Sequence, residues 1–309
     1  MKKPLFISIK PIIKKSIKTV SYCPDKSVGF RTFFTDEKRQ NTNNIWTFNG
    51  EIMESKVALV TGGSKGIGAG CVEAFSAEGA IPVIVGRSPQ IGEELLTKCG
   101  GNGLVIEAEL TSEDACKNAI ETTLAKYGRL DGIVHNAGVN DGVSLRKSPS
   151  DFMASLQKNI FHVFTLTHYA LDALIESKGF IINISSKVAD TGQGSASGYA
   201  ASKGAMNALT REWALDLAKH SIRVNTVVPA EVMTPMYENW LNTLEDPATT
   251  LAQIENRIPF ENRMTTQEEL ASMVVFIASD KSSHTTGQIL YPDGGYVHFD
   301  RSYGAVEKA

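Results

Sequence analysis

The sequence predicts an α/β domain, one parallel sheet of about seven strands with helices against both faces. Three observations carry that expectation. Short runs rich in Val and Ile recur between helix-length segments. The runs are apolar throughout rather than alternating, as strands buried on both faces are. A glycine-rich turn joins the first run to the first helix.

The elements follow in order. Residues 57–60 (Val-Ala-Leu-Val) form the first strand, and 69–77 carries apolar residues at i, i+3, i+4 spacing after the turn. Further strands are expected over 83–85, 104–106, 132–134, 180–184 and 223–228, with a helix over 113–126 between two of them. A last strand, 288–291, leads into Asp293-Gly294-Gly295. Regular alternation of strand and helix implies right-handed crossovers and parallel pairing.

No internal repeat or linker follows Met53, so one domain is expected over 53–309. Residues 1–52 differ. They hold ten Lys/Arg and four Asp/Glu, a net of +6, whereas the rest of the 309 residues carries −9 and the whole −3. Without sustained periodicity, this basic segment is expected to be a disordered extension. A chain starting at Met53 is then expected to fold and turn over. The acid-poor start leaves organelle targeting open, but Lys outnumbers Arg there and a cytoplasmic location is expected.

The net charge gives no global basic field for nucleic acid. Lys and Pro interrupt every apolar run well short of the ~20 residues of a membrane span. Cys23, Cys71, Cys99 and Cys116 show neither CxxC spacing nor a disulfide framework. A reducing compartment and no metal are the expectation.

Chemistry enters at Thr61-Gly62-Gly63-Ser64-Lys65-Gly66-Ile67-Gly68. Such glycines allow a tight turn and let backbone N–H groups approach a pyrophosphate, which the following helix N-terminus stabilises. Gly62, Ser64, Lys65, Gly66, Ile67 and Gly68 are therefore expected to hold a dinucleotide on a Rossmann-type, doubly wound sheet. At the end of the second strand stands Val85-Gly86-Arg87-Ser88, with glycine where an acid would hold the adenosine ribose. Arg87 and Ser88 suit a 2′-phosphate, which favours NADP and leaves NAD possible.

Tyr199-Ala200-Ala201-Ser202-Lys203 opens a long helix and puts Tyr199 and Lys203 one turn apart on one face. A neighbouring ammonium favours phenolate and makes the tyrosine a usable base. Ser186 lies thirteen positions earlier, just after a strand, where its hydroxyl can bind the reacting oxygen.

Taken together, these residues resemble the short-chain dehydrogenase/reductases over about residues 55–296. His135-Asn136-Ala137-Gly138 is similar to that family's Asn-Asn-Ala-Gly, with His for the first Asn. Glu109, followed by Leu110, stands where an Asp commonly contacts adenine. Lys158-Asn159-Ile160 matches the fourth catalytic position, which holds a water of the proton relay. The resemblance thus implies a tetrad of Asn159, Ser186, Tyr199 and Lys203, with Tyr199 and Lys203 also at the nicotinamide ribose. Asn136, Ala137 and Gly138 would run beside the cofactor. Pro229-Ala230-Glu231-Val232-Met233-Thr234 matches Pro-Gly-x-x-x-Thr with Ala230 for Gly, which places Pro229, Val232 and Thr234 at the nicotinamide. The resemblance also implies a homotetramer, with the Trp213-bearing helix at a subunit interface.

Within that family, several stretches are similar to the bacterial L-fucose dehydrogenases: Gly138-Val139-Asn140-Asp141-Gly142, Thr191-Gly192-Gln193-Gly194, Asn239-Trp240 and Gly295-Tyr296-Val297-His298. This implies a small sugar substrate, L-fucose, D-arabinose or L-galactose, oxidised at the anomeric carbon to an aldonolactone. Asn140, Asp141, Gln193 and Glu231 fall on loops at the carboxyl ends of strands, where a doubly wound sheet places its ligands. Beside Ser186 and Tyr199 they are the candidate sugar contacts, and Trp240 either packs on a sugar face or anchors a flap. Asp141 and Glu231 have a second reading as carboxylates that structure their loops. A 3-oxoacyl or hydroxysteroid reductase on the same machinery stays open. So does a dinucleotide-sensing protein without activity, against which the intact Tyr199 and Lys203 argue.

Overall fold

The computed structural model describes residues 52–300, so the expectation of disorder before them falls on residues outside that range. Seven strands form one sheet: β1 (Val57–Thr61), β2 (Ile81–Gly86), β3 (Leu104–Glu107), β4 (Gly132–His135), β5 (Phe180–Ile184), β6 (Arg223–Val227) and β7 (Ile289–Leu290). Their order is β3-β2-β1-β4-β5-β6-β7, and every pairing is parallel. The order in which successive strands are laid down reverses between β1 and β4, and a doubly wound sheet opens its ligand crevice at such a point.

Nine α-helices complete the described residues: α1 (Gly66–Ala77), α2 (Pro89–Lys98), α3 (Glu113–Tyr127), α4 (Pro149–Leu156), α5 (His162–Ser177), α6 (Ser197–Asp216), α7 (Pro235–Leu241), α8 (Pro247–Glu255) and α9 (Gln267–Ala278). The strands are apolar along their whole length because both faces are buried. In β1, Ala58 and Val60 pack with Val72 and Phe75 of α1 and Leu270 and Val274 of α9. Val57 and Leu59 point the other way, into Ile120 of α3 and Leu166 and Leu174 of α5. Met53 is fully buried in the first of these clusters, and its N–H donates to Glu78 O at 3.0 Å.

Buried polar groups tie the sheet at both ends. The Asp131 carboxylate accepts from Val57 N at 2.8 Å and from Arg129 Nε at 2.8 Å, which fixes the start of β1. At the far end, Thr61 Oγ1 accepts from Asn136 N (2.9 Å) and Ala137 N (3.0 Å), locking β1 to the turn after β4. β7 is shorter than the expected 288–291. Gln288 N donates to the Asn225 side chain rather than to a strand carbonyl, and Pro292 has no N–H to extend the ladder.

Candidate active site

A cleft of about 750 Å³ lies at the carboxyl ends of the strands and runs from the turn after β2 to the first turn of α6. Its floor is the glycine turn. Gly62 and Gly66 sit at φ +64° and +57°, in the left-handed region that side chains resist. A Cβ on Gly68 would lie 2.4 Å from Gly62 O. No side chain caps α1, so its first N–H groups face the cleft unclaimed by any such cap. Asn136 holds the turn from beneath, its Nδ2 donating to Thr61 O at 3.0 Å and Gly62 O at 3.2 Å. Bare backbone, a positive helix end and an elongated cleft fit a dinucleotide.

All the residues expected to bind cofactor line this cleft save Gly68, whose place is the packing beneath it: Gly62, Ser64, Lys65, Gly66, Ile67, Arg87, Ser88, Glu109, Leu110, Asn136, Ala137, Gly138, Pro229, Val232 and Thr234. At the adenosine end, Arg87 stands 3.9 Å from Glu109, and both are mostly exposed. Such a pair holds its partners weakly. Glu109 Oε1 also accepts from Thr111 N and Oγ1 (3.2 and 3.0 Å), so this carboxylate is anchored whereas the guanidinium can turn to a ligand. Thr234 Oγ1 accepts from Tyr237 N at 3.2 Å, capping α7 and holding that lip over Gly66.

At the other end stand Ser186, Tyr199 and Lys203. Lys203 is buried; its Nζ donates to Ile184 O at 2.7 Å and lies 5.5 Å from the Tyr199 ring centre. The ammonium was expected to draw the tyrosine pKa down, and here burial dominates both groups. It pushes Lys203 down to about 7 and Tyr199 up, while the Ser186 hydroxyl pulls the phenol partly back. A lysine lowered in the fold is neutral there and protonated in the unfolded chain between pH 7 and its ordinary range, so the unfolded state binds more protons and stability rises with pH in that window. The thermal midpoint of the ligand-free protein should therefore climb from pH 7 to 9 relative to Lys203→Met; parallel midpoint–pH curves would remove this assignment.

Asn159 is reached by a distortion that the sequence does not announce. Residues Gln157–Phe161 form a π-turn between α4 and α5, a device that displaces one side chain from the helical row. Asn159 is fully buried, its Oδ1 accepting from Val139 N (2.7 Å) and its Nδ2 donating to Ser155 O (2.9 Å). It is not part of the cleft lining, and its Oδ1 lies on the same side of Gly138 as Lys203 Nζ.

The expected sugar contacts divide. Ser186 and Tyr199 line the cleft, whereas Asn140, Asp141, Gln193, Glu231 and Trp240 do not. Asn140 Oδ1 turns to its own loop, 3.4 Å from Gly142 N. Asp141 accepts from Ser155 Oγ (2.7 Å) and Lys158 Nζ (3.3 Å), the loop-structuring reading of that carboxylate. Glu231 is buried against the Lys187 ammonium, Gln193 is exposed, and Trp240 sets its edge against Tyr237 with ring centres 5.2 Å apart. In their place the cleft presents Val139, Lys158, Met236, Tyr237 and Asn239. Thr234 as a cap with Pro235 at the first helical position signals α7 in the sequence, and helical spacing then puts Met236 and Asn239 on one face.

A glycine turn for a dinucleotide, facing half-buried Ser186 and Tyr199 and the buried Lys203 across one cleft, defines a nicotinamide-dependent oxidoreductase. Residues 62–297 match the sequence family described as enoyl-(acyl carrier protein) reductase. L-fucose dehydrogenase of Bos taurus is 34% identical over 256 residues, spanning 82% of this chain and 94% of that protein. The 3-oxoacyl-[acyl-carrier-protein] reductase FabG of Thermotoga maritima is also 34% identical, over 79% and 99% of the two chains. The crystal structure of Cj0485 dehydrogenase superposes with a TM-score of 0.79 at 42% identity, covering 81% and 97%. The chain belongs to the short-chain dehydrogenase/reductase family and is an NAD(P)-dependent oxidoreductase. Among the described residues, no helix is long and apolar enough to cross a membrane.

Proposed function

We propose that this enzyme oxidises a small aldose, L-fucose or its relatives D-arabinose and L-galactose, at the anomeric carbon to the aldonolactone. The observation that carries this reading is the set of polar groups that share the cleft wall with Ser186 and Tyr199. Tyr237 and Asn239 line the cleft that Ser186 and Tyr199 also line, and a substrate without hydroxyls would leave their polar ends unpaired. Likeness to the bovine L-fucose dehydrogenase supports the same substrate class.

The chain's own residues divide the work. Tyr199 takes the anomeric hydroxyl proton, and Ser186 donates to the phenolate and orients the substrate oxygen. Lys203, held on Ile184 O, places a donor one helical turn from that phenolate, and Asn159 fixes the Val139 backbone behind them. The glycine turn would hold the pyrophosphate of a dinucleotide and Pro229, Val232 and Thr234 its nicotinamide, which would supply the hydride acceptor.

Turnover followed by reduced-cofactor absorbance tests the proposal. L-fucose, D-arabinose, L-galactose and a hydroxysteroid are offered with oxidised NADP and NAD, and a 3-oxoacyl thioester with the reduced forms of both. Sugar oxidation is expected. Acyl reduction without sugar oxidation would establish the reading favoured by the likeness to the Thermotoga reductase. Arg87, largely exposed at the adenosine end, favours NADP. Arg87→Ala should weaken NADP binding by about 10- to 100-fold, the worth of one charged hydrogen-bonded contact, and spare NAD within about threefold. Equal effects on both cofactors would remove the 2′-phosphate role.

The unbonded thiols of Cys71, Cys99 and Cys116 suit a reducing, cytoplasmic setting. The exposed Phe164, its ring 6.4 Å from Trp213 across α5 and α6, supports assembly through that face into the homotetramer.

A further inference from the structure

Beside the cleft lies a buried ion pair whose two residues are not among those that line it. Lys187 follows Ser186 directly and opens a short 3₁₀ turn, Lys187–Ala189. Its ammonium meets the Glu231 carboxylate with 16% and 7% of the side chains exposed, and lies 4.5 Å from the Tyr296 ring centre. Burying such a pair adds little stability, because desolvation offsets the attraction, so its value lies in where it holds the chain.

The pair joins the two loops that flank the reacting position. Lys187 N donates to Pro229 O at 3.0 Å, and its side chain grips Glu231 two residues further along that loop. Glu231 O in turn accepts from Thr265 N at 3.1 Å, so the second loop is braced from behind. Ser186 is tied less firmly. Its hydroxyl faces the Tyr199 phenol, and its Oγ is 3.5 Å from Val188 N, a contact too long to fix it, so the backbone around Lys187 sets where the hydroxyl starts from.

We propose that Lys187 and Glu231 are positioning residues: their ion pair clamps the Ser186 turn to the Pro229–Thr234 loop and thereby holds the Ser186 hydroxyl on the reacting oxygen. The inference rests on the role proposed for Ser186. It does not depend on which substrate turns over. Reactivity is steep in position, since a displacement of about 1 Å can cost ~100-fold in rate.

The test uses the full chain and the best substrate of the panel. Glu231→Gln keeps shape and removes charge. It should lower kcat by about 10-fold or more and leave KM and the cofactor Kd within about threefold, with rates taken well below an unfolding temperature that falls because Lys187 loses its buried counter-charge. The exchanged pair Lys187→Glu with Glu231→Lys should recover part of the lost kcat relative to Lys187→Met. Glu231→Gln with kcat within threefold of wild type overturns the proposal, and so does a loss carried by KM or by cofactor affinity. Ser186→Ala separates the two readings. If that variant keeps its activity, the role of Ser186 fails and the clamp with it. If it is inactive while Glu231→Gln is not, only the clamp fails. Absence of turnover with every substrate removes both.

Discussion

Tyr199→Phe is expected to lower turnover by about 10³-fold while dinucleotide affinity stays within about twofold. The substitution removes one oxygen and nothing else. The ring that sits 5.5 Å from Lys203 Nζ remains, so the packing at the start of α6 is kept. What disappears is the group that accepts the substrate proton and the hydroxyl that faces Ser186. General base catalysis contributes about 10² to 10⁴ in rate, and no other described side chain at this end of the cleft offers a replacement. Lys203 is committed to Ile184 O at 2.7 Å, and Lys158 to Asp141 at 3.3 Å. Steady-state kcat and a fluorescence titration with reduced cofactor separate the two effects. Turnover within tenfold of wild type would remove Tyr199 from its role as base.

The parts of this site that were legible in the sequence share one property: each is written in residues close together along the chain. The glycine turn spans 61–68, Tyr199 and Lys203 occupy one helical turn, and Ser186 follows a strand. The strands were legible because burial on both faces leaves no polar residue at alternate positions, as Val57–Thr61 shows. Glu231 and Asp141 were read toward the substrate because loops at the carboxyl ends of strands usually face it. The groups that claim them come from elsewhere: Lys187 is 44 positions from Glu231, and Lys158 is 17 from Asp141. A carboxylate's partner cannot be read until folding brings it near. The π-turn at Gln157–Phe161 left no local mark either, since its residues suit an ordinary helix. The direction of the Tyr199 shift failed for a related reason. Charge proximity was visible as spacing, but burial, which decides the sign here, is a property of the folded site.

Gly68→Ala is expected to abolish useful dinucleotide binding, with affinity lower by at least about 100-fold, and to destabilise the fold by roughly 2–3 kcal/mol. The added Cβ would lie 2.4 Å from Gly62 O and 2.5 Å from Asn136 Nδ2. Neither neighbour can withdraw cheaply. Gly62 is held by its own N–H on Val85 O at 2.8 Å, and its left-handed φ leaves little freedom. Asn136 Nδ2 is the donor that ties Thr61 O and Gly62 O together, so moving it releases the turn that should cradle the phosphates. The clash therefore resolves by lifting the turn away from α1, and the bare N–H groups no longer converge on one anion. At about 2–4 °C per kcal/mol for a domain of this size, the thermal midpoint should fall by several degrees. Gly204→Ala is the matching control. It lies in the middle of α6, and its added Cβ meets nothing within 4 Å. It should leave cofactor affinity unchanged and stabilise the helix by about 0.5–1 kcal/mol. Equal losses in the two variants would mean that glycine content as such, rather than the contact between residues 68 and 62, sets the stability of the turn.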